Sequence, residues 1–150
     1  MEVEHIKNSI LEIRGHKVIL DFELAKMYQV ETKYLKRTVK NNLKRFLAFA
    51  KLQRSKAKDF MFELTQEEWN NLRSQIATSS WGGQRYAPFA FTEQGIAMLS
   101  SVLKSKKAIH MNITIMRAFV MMRQWAHYFN RRLRYACHGI LLSLLDFPVD

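Results

Sequence analysis

The stretch Asp21–Phe46, DFELAKMYQVETKYLKRTVKNNLKRF, decides how the rest of the chain must be arranged. It reads as two short helices joined by a tight corner. Asp21 is placed to cap a first helix whose apolar positions are Phe22, Leu24, Ala25 and Tyr28. Gln29-Val30-Glu31 breaks that helix, and Thr32 is placed to cap a second. On the second helix Leu35, Val39, Leu43 and Phe46 recur on one side, while Lys33, Lys36, Arg37, Lys40 and Lys44 gather on the other. One face suits a core and the other a polyanion. A helix-turn-helix has this layout, its second helix entering the DNA major groove.

The plainer alternative is an amphipathic helix with a solvated lysine face. Against it, Thr32–Lys58 holds ten Lys or Arg and no Asp or Glu, whereas a merely solvated helix usually mixes signs to gain i,i+4 pairs. Asn41 and Asn42 accompany the bases, and an Asn amide can pair bidentately with adenine. The expected DNA-contacting set is therefore Lys33, Lys36, Arg37, Lys40, Asn41, Asn42, Lys44 and Arg45. At the corner, Gln29 stands where Gly commonly supplies a positive φ.

At 150 residues and 48% apolar composition the chain can bury a core as one domain, expected over 1–128, with a basic and apolar tail at 129–150. Nearly all of the net charge of +11 can be assigned to the basic run, which argues for a directed surface. Cys137 is the single cysteine and cannot form an intramolecular disulfide. There is no secretory layout at the start and no apolar run of about eighteen residues. A cytoplasmic protein that does not span a membrane is expected.

Elsewhere the chain alternates strand and helix signals. Ile6–Ile13, the turn Arg14-Gly15-His16 and Lys17–Leu20 read as a hairpin leading into Asp21. Leu47–Lys58 reads as a helical extension that frays near Ser55. Phe60–Leu64 is a strand, and Thr65-Gln66-Glu67-Glu68 is a capping box opening a helix to about Ile76. Ala77–Gln84 is a loop containing Trp81. Tyr86–Phe91 is a strand placed at an edge or bulge by Pro88. Thr92 caps the next helix, where Gly95 implies close packing. The longest helix runs from Ala108 to about Tyr128, with Ile109, Ile113, Met116 and Val120 as its apolar stripe. Arg117 and Arg123 on that helix either reach DNA or are solvated. The fold class expected is α+β, small β-hairpins packed with helices and including a helix-turn-helix-like element.

Three strings carry a resemblance: IRGHKVILDFELAKMYQVETKYLKRTVKNNLKRF, DFMFELTQEEWNNLRSQIATSSWGGQRYAPFAFTEQGIAMLSSVLKSKKAI and NITIMRAFVMMR. Over Ile13–Arg123 the chain resembles the ORF-six N-terminal domain, a DNA-binding module of phage and prophage proteins related to the KilA-N domain. The resemblance implies DNA binding, helices packed on small sheets, and no catalysis. Family members typically carry Gly at the position of Gln29 and a short Pro-containing link where Leu47–Lys58 stands here. The tail after Tyr128 has no counterpart in the pattern.

Other chemistry is set aside on spacing. His127, Cys137 and His138 fit no zinc pattern. The thirteen acids are too scattered for a metal-dependent nuclease, and no P-loop or dinucleotide glycine pattern occurs. Tyr86, Phe89 and Phe91 read as core more readily than as a base-stacking platform. The reading is a sequence-specific double-stranded DNA binder of the phage-regulator kind, needing no cofactor, metal or small-molecule substrate. A homodimer or a repressor protein is the further candidate partner, and an antirepressor-like interaction module is the alternative.

Overall fold

The computed structural model describes residues 2–52, 59–75 and 86–145. The expected loop Ala77–Gln84 with Trp81, and the fraying point near Ser55, lie outside them. In order the elements are α1 (Glu2–Ser9), β1 (Leu11–Ile13), β2 (His16–Leu20), α2 (Asp21–Tyr28), α3 (Thr32–Asn41), α4 (Leu43–Leu52), β3 (Met61–Glu63), α5 (Gln66–Gln75), β4 (Phe89–Thr92), α6 (Glu93–Val102) and α7 (Lys106–Leu145). The four strands form one antiparallel sheet in the order β1-β2-β4-β3. The α+β class therefore holds, with the expected hairpins merged into a single sheet.

Alternation along the strands separates two cores. Ile19 pairs with Phe91 and points to one face, where α2, α3, α6 and α7 contribute Leu24, Leu35, Ile96 and Ile115. Val18, Leu20, Ala90 and Phe62 point to the other face and are covered by Trp69 of α5 and Phe22, whose rings lie 5.9 Å apart. Strand β2 reads as a continuous apolar run because both its faces are buried.

Local signals place the joints. Arg14 and Gly15 have φ of 54° and 75° between the paired residues Ile13 and His16, the two left-handed residues of a type I′ hairpin turn. From that turn the Arg14 guanidinium reaches Glu68 at 2.8 and 2.7 Å and lies over the Phe62 ring. Glu68 also completes the capping box with Thr65, at 2.8 and 3.1 Å. These hydrogen bonds, Arg14's foremost, pull the Glu68 carboxyl down to about 2. At the start of α6 the Gly95 amide donates to Thr92 Oγ1 at 3.2 Å, and that hydroxyl lies 2.6 Å from the Asp59 carbonyl oxygen, to which it donates.

Several expectations are corrected by tertiary packing. Ile6–Ser9 belongs to helix α1, not to a strand, because Ile6 and Val3 pack as neighbouring turns against the main core. Tyr86–Pro88 precede β4, and that strand is interior: Pro88 stands just before the ladder, so its missing N–H costs the sheet nothing. On α7 the expected stripe faces outward, with Ile109 and Ile113 each 47% exposed. The buried residues among those described are Ala108, Asn112, Thr114, Ile115, Ala118 and Phe119. Both sides of this helix are apolar, and the side bearing small alanines is the one that fits closely against the body. The second helix of the Asp21–Phe46 unit is also shorter than expected. It breaks at Asn42, leaving Leu43, assigned to the core stripe, 45% exposed on α4.

Gln29 takes the left-handed conformation, φ 56° and ψ 43°. Val30 N–H bonds to Ala25 O at 3.0 Å and Gln29 N–H to Lys26 O at 3.1 Å, the paired bonds of a Schellman helix end. A non-glycine residue there costs about 1 kcal/mol or more. Gln29→Gly should therefore raise stability by about 1 kcal/mol, lifting Tm by roughly 2–4 °C for a chain of this size. A thermal melt showing no gain would place the tolerance in the side chain's own contacts.

Candidate nucleic-acid interface

The corner formed by Gln29, Val30 and Glu31 sets α3 against α2, with Leu35 and Val39 buried between them. Burial of these two fixes the rest of the helix by rotation. Lys33, Arg37 and Lys40 follow at spacings that keep them on the far side, and all three are exposed. Neither Asp21 nor Thr32 serves as the expected cap. Leu20 and Glu31 occupy the capping positions without a side-chain hydrogen bond, because Asp21 and Thr32 are already helical.

Asp21 does something else. It is wholly buried, accepts the Phe89 amide at 3.0 Å and forms an ion pair with Lys36 at 3.0 Å. Lys36 Nζ also lies 5.2 Å from the centroid of the Phe89 ring. Its side chain is 27% exposed and is turned from the basic face toward β4. This separates Lys36 from the other lysines with which the sequence grouped it.

Asn42 is likewise occupied. Its side-chain amide donates to Thr38 O at 2.8 Å, and its backbone amide closes the end of α3. Asn41 is exposed on the last residue of α3, while Lys44 and Arg45 are exposed one element later on α4. The structure thus gathers Lys33, Arg37 and Lys40 on one helix and carries Lys44 and Arg45 past a bend. None of these five has an ion-pair partner among the described residues.

Tyr34 was missed by the charge pattern. It is 46% exposed beside Arg37, whose guanidinium lies 5.8 Å from the ring centroid, and both line an open hollow with Val30, Glu31 and Lys33. Its position off both the apolar and the basic stripes is the one sequence signal that could have found it. Of the two arginines read on the long helix, Arg123 is paired with Glu93 at the start of α6, and Arg117 is exposed.

The family model described as the ORF6N domain matches residues 8–102. The chain belongs to the ORF6N domain family. Comparison with curated proteins and with solved structures gives no match. The ORF6N match takes in the whole sheet, the α2–α3 unit and α6, and ends before α7. Every candidate DNA-contacting residue lies inside it. Among the described residues no helix is long and apolar enough to cross a membrane.

Proposed function

We propose that this ORF6N protein binds double-stranded DNA sequence-specifically as a phage-type regulator, with α3 of a helix-turn-helix-like α2–α3 unit entering the major groove. It is a binding module and not an enzyme. The observation carrying the reading is the exposed row Lys33–Arg37–Lys40, free of ion pairs among the described residues, directly opposite the buried pair Leu35 and Val39. A helix anchored on one side with unneutralised cations on the other suits a polyanion. In this reading Arg37 pairs bidentately with guanine and Asn41 with adenine, whereas Lys44 and Arg45 meet phosphates. Lys36 holds the helix in place through Asp21, and Asn42 ends it.

The test is a salt titration of affinity on selected and random duplexes. Lys44→Ala should weaken both alike and flatten the dependence of log K on log salt by about one unit. Arg37→Ala should cost roughly 1–3 kcal/mol on the selected site and less on random DNA. If both variants, folded, bind as the parent does, the basic face is solvent-facing decoration and the protein-interaction reading replaces this one.

A further inference from the structure

The candidate DNA contacts on α3 and α4 lie in the basic stretch Thr32–Lys58, which holds no Asp or Glu. From Gln94 to Leu145 the chain holds eight Lys or Arg and again no Asp or Glu. Three of the eight, Lys104, Lys106 and Lys107, fall within four residues at the junction of α6 and α7. All three are exposed, and none has an ion-pair partner among the described residues.

Their place in the fold is fixed by two contacts to the end of α2. Tyr28 Oη donates to Asn112 Oδ1, a buried bond that rivets the second turn of α7 to α2. Lys107 Nζ donates to the side-chain oxygen of Gln29, the left-handed residue at the corner from which α3 departs. The lysine cluster therefore sits beside the start of α3. Gly at position 29 would serve the backbone better, yet it has no side chain to hold Lys107. A residue that breaks a local rule and makes a contact Gly cannot make marks a place where function outweighs local preference.

We propose that Lys104, Lys106 and Lys107 form a second contact with the DNA backbone, flanking the groove that α3 enters. This rests on the DNA-binding reading above. Ammonium groups act as point charges for phosphate oxygens, so the contact adds affinity for any duplex and no base preference. Gln29 is a positioning residue for Lys107. It directs one of the three donors on Nζ and leaves two for phosphate.

The experiment is a salt titration of the full chain against a selected and a random-sequence duplex, with the variant K104Q/K106Q/K107Q. The slope of log K against log salt should fall by about two to three units, and affinity at low salt by roughly tenfold or more on both duplexes alike. The control is R123Q/R131Q, which removes charge from the same helix about 24 and 36 Å beyond Lys107 and should leave the slope unchanged. K104Q/K106Q keeps the Lys107–Gln29 contact, and its slope should fall by about two. It serves as the readout should the triple variant fold poorly. Wild-type binding with an unchanged slope in both lysine variants overturns this proposal alone, as does an equal loss per charge in the control. Failure of the wild type itself to bind either duplex overturns the DNA reading and this contact with it.

Discussion

Replacing Gly95 with alanine is expected to destabilise the fold by about 3 kcal/mol, although in an ordinary exposed helix the same change stabilises by up to about 1 kcal/mol. The sign reverses because of what stands opposite. A Cβ built on Gly95 would lie 2.0 Å from the Phe60 carbonyl oxygen and 2.9 Å from its carbonyl carbon, so backbone would have to move. Phe60 is not free to shift. Its carbonyl oxygen accepts the Thr92 amide at 3.0 Å, and its ring is in the core. Moving α6 away instead would stretch the bond from Gly95 N–H to Thr92 Oγ1, itself worth about 1 kcal/mol as a cap. A urea or thermal melt measures the effect, with Tm falling roughly 6–12 °C. A loss under about 1 kcal/mol, against the usual 1–3 kcal/mol cost of overpacking, would mean the two elements part cheaply.

That glycine was legible in the sequence as a sign of close packing, and so were several devices that act within a few residues, although the caps expected at Asp21 and Thr32 were not among them. The two-residue turn Arg14-Gly15, the Thr65–Glu68 box and the Thr92 cap are short-range chemistry, and each closes as its residue types require. What the sequence did not reveal depends on distant partners. Helix α1 exists because Ile6 and Val3 find the main core, not because EVEHIKNS is strongly helical. On α7 two sides competed, and periodicity alone chose the wrong one, since only the neighbouring elements discriminate between the face of Ala108, Ile115, Ala118 and Phe119 and that of Ile109 and Ile113. The left-handed Gln29 shows the limit in the other direction: the need for positive φ was readable, but the Lys107 contact was not.

The candidate site divides in the same way. Lys33, Arg37 and Lys40 follow from helical rotation once Leu35 and Val39 are known to be buried, so the sequence sufficed. Lys36 shares their charge and their neighbourhood, and only the position of Asp21 under Phe89 reveals that it turns inward. A lysine pattern cannot distinguish a cation that is neutralised within the protein from one that awaits a ligand. The basic face is therefore narrower than the sequence implied, and it is held at a set angle to the sheet by one of the charges first assigned to it.

Removing Asp21 should expose how much that charge pair matters. Asp21→Ala leaves Lys36 without its counter-ion in a mostly buried place and takes the acceptor from the Phe89 amide. Breaking a buried pair from one side usually costs 3–5 kcal/mol, and because Lys36 retains a path to water the lower end, about 3 kcal/mol, is expected. Lys36→Met should cost a similar amount, because it leaves the Asp21 carboxyl at 0% exposure without its ion-pair partner, the Phe89 amide being a remaining donor. One of the Asp21 carboxylate oxygens, Oδ1, has no hydrogen-bond partner among the described residues even in the intact pair, so the site has no spare donor to compensate. The double variant Asp21→Ala/Lys36→Met removes both charges together and should recover about 2 kcal/mol of the summed loss. Equilibrium urea unfolding of the four proteins gives this coupling directly. Strict additivity would show that the two groups do not sense each other, and the account of how α3 is held against β4 would then have to rest on Leu35 and Val39 alone.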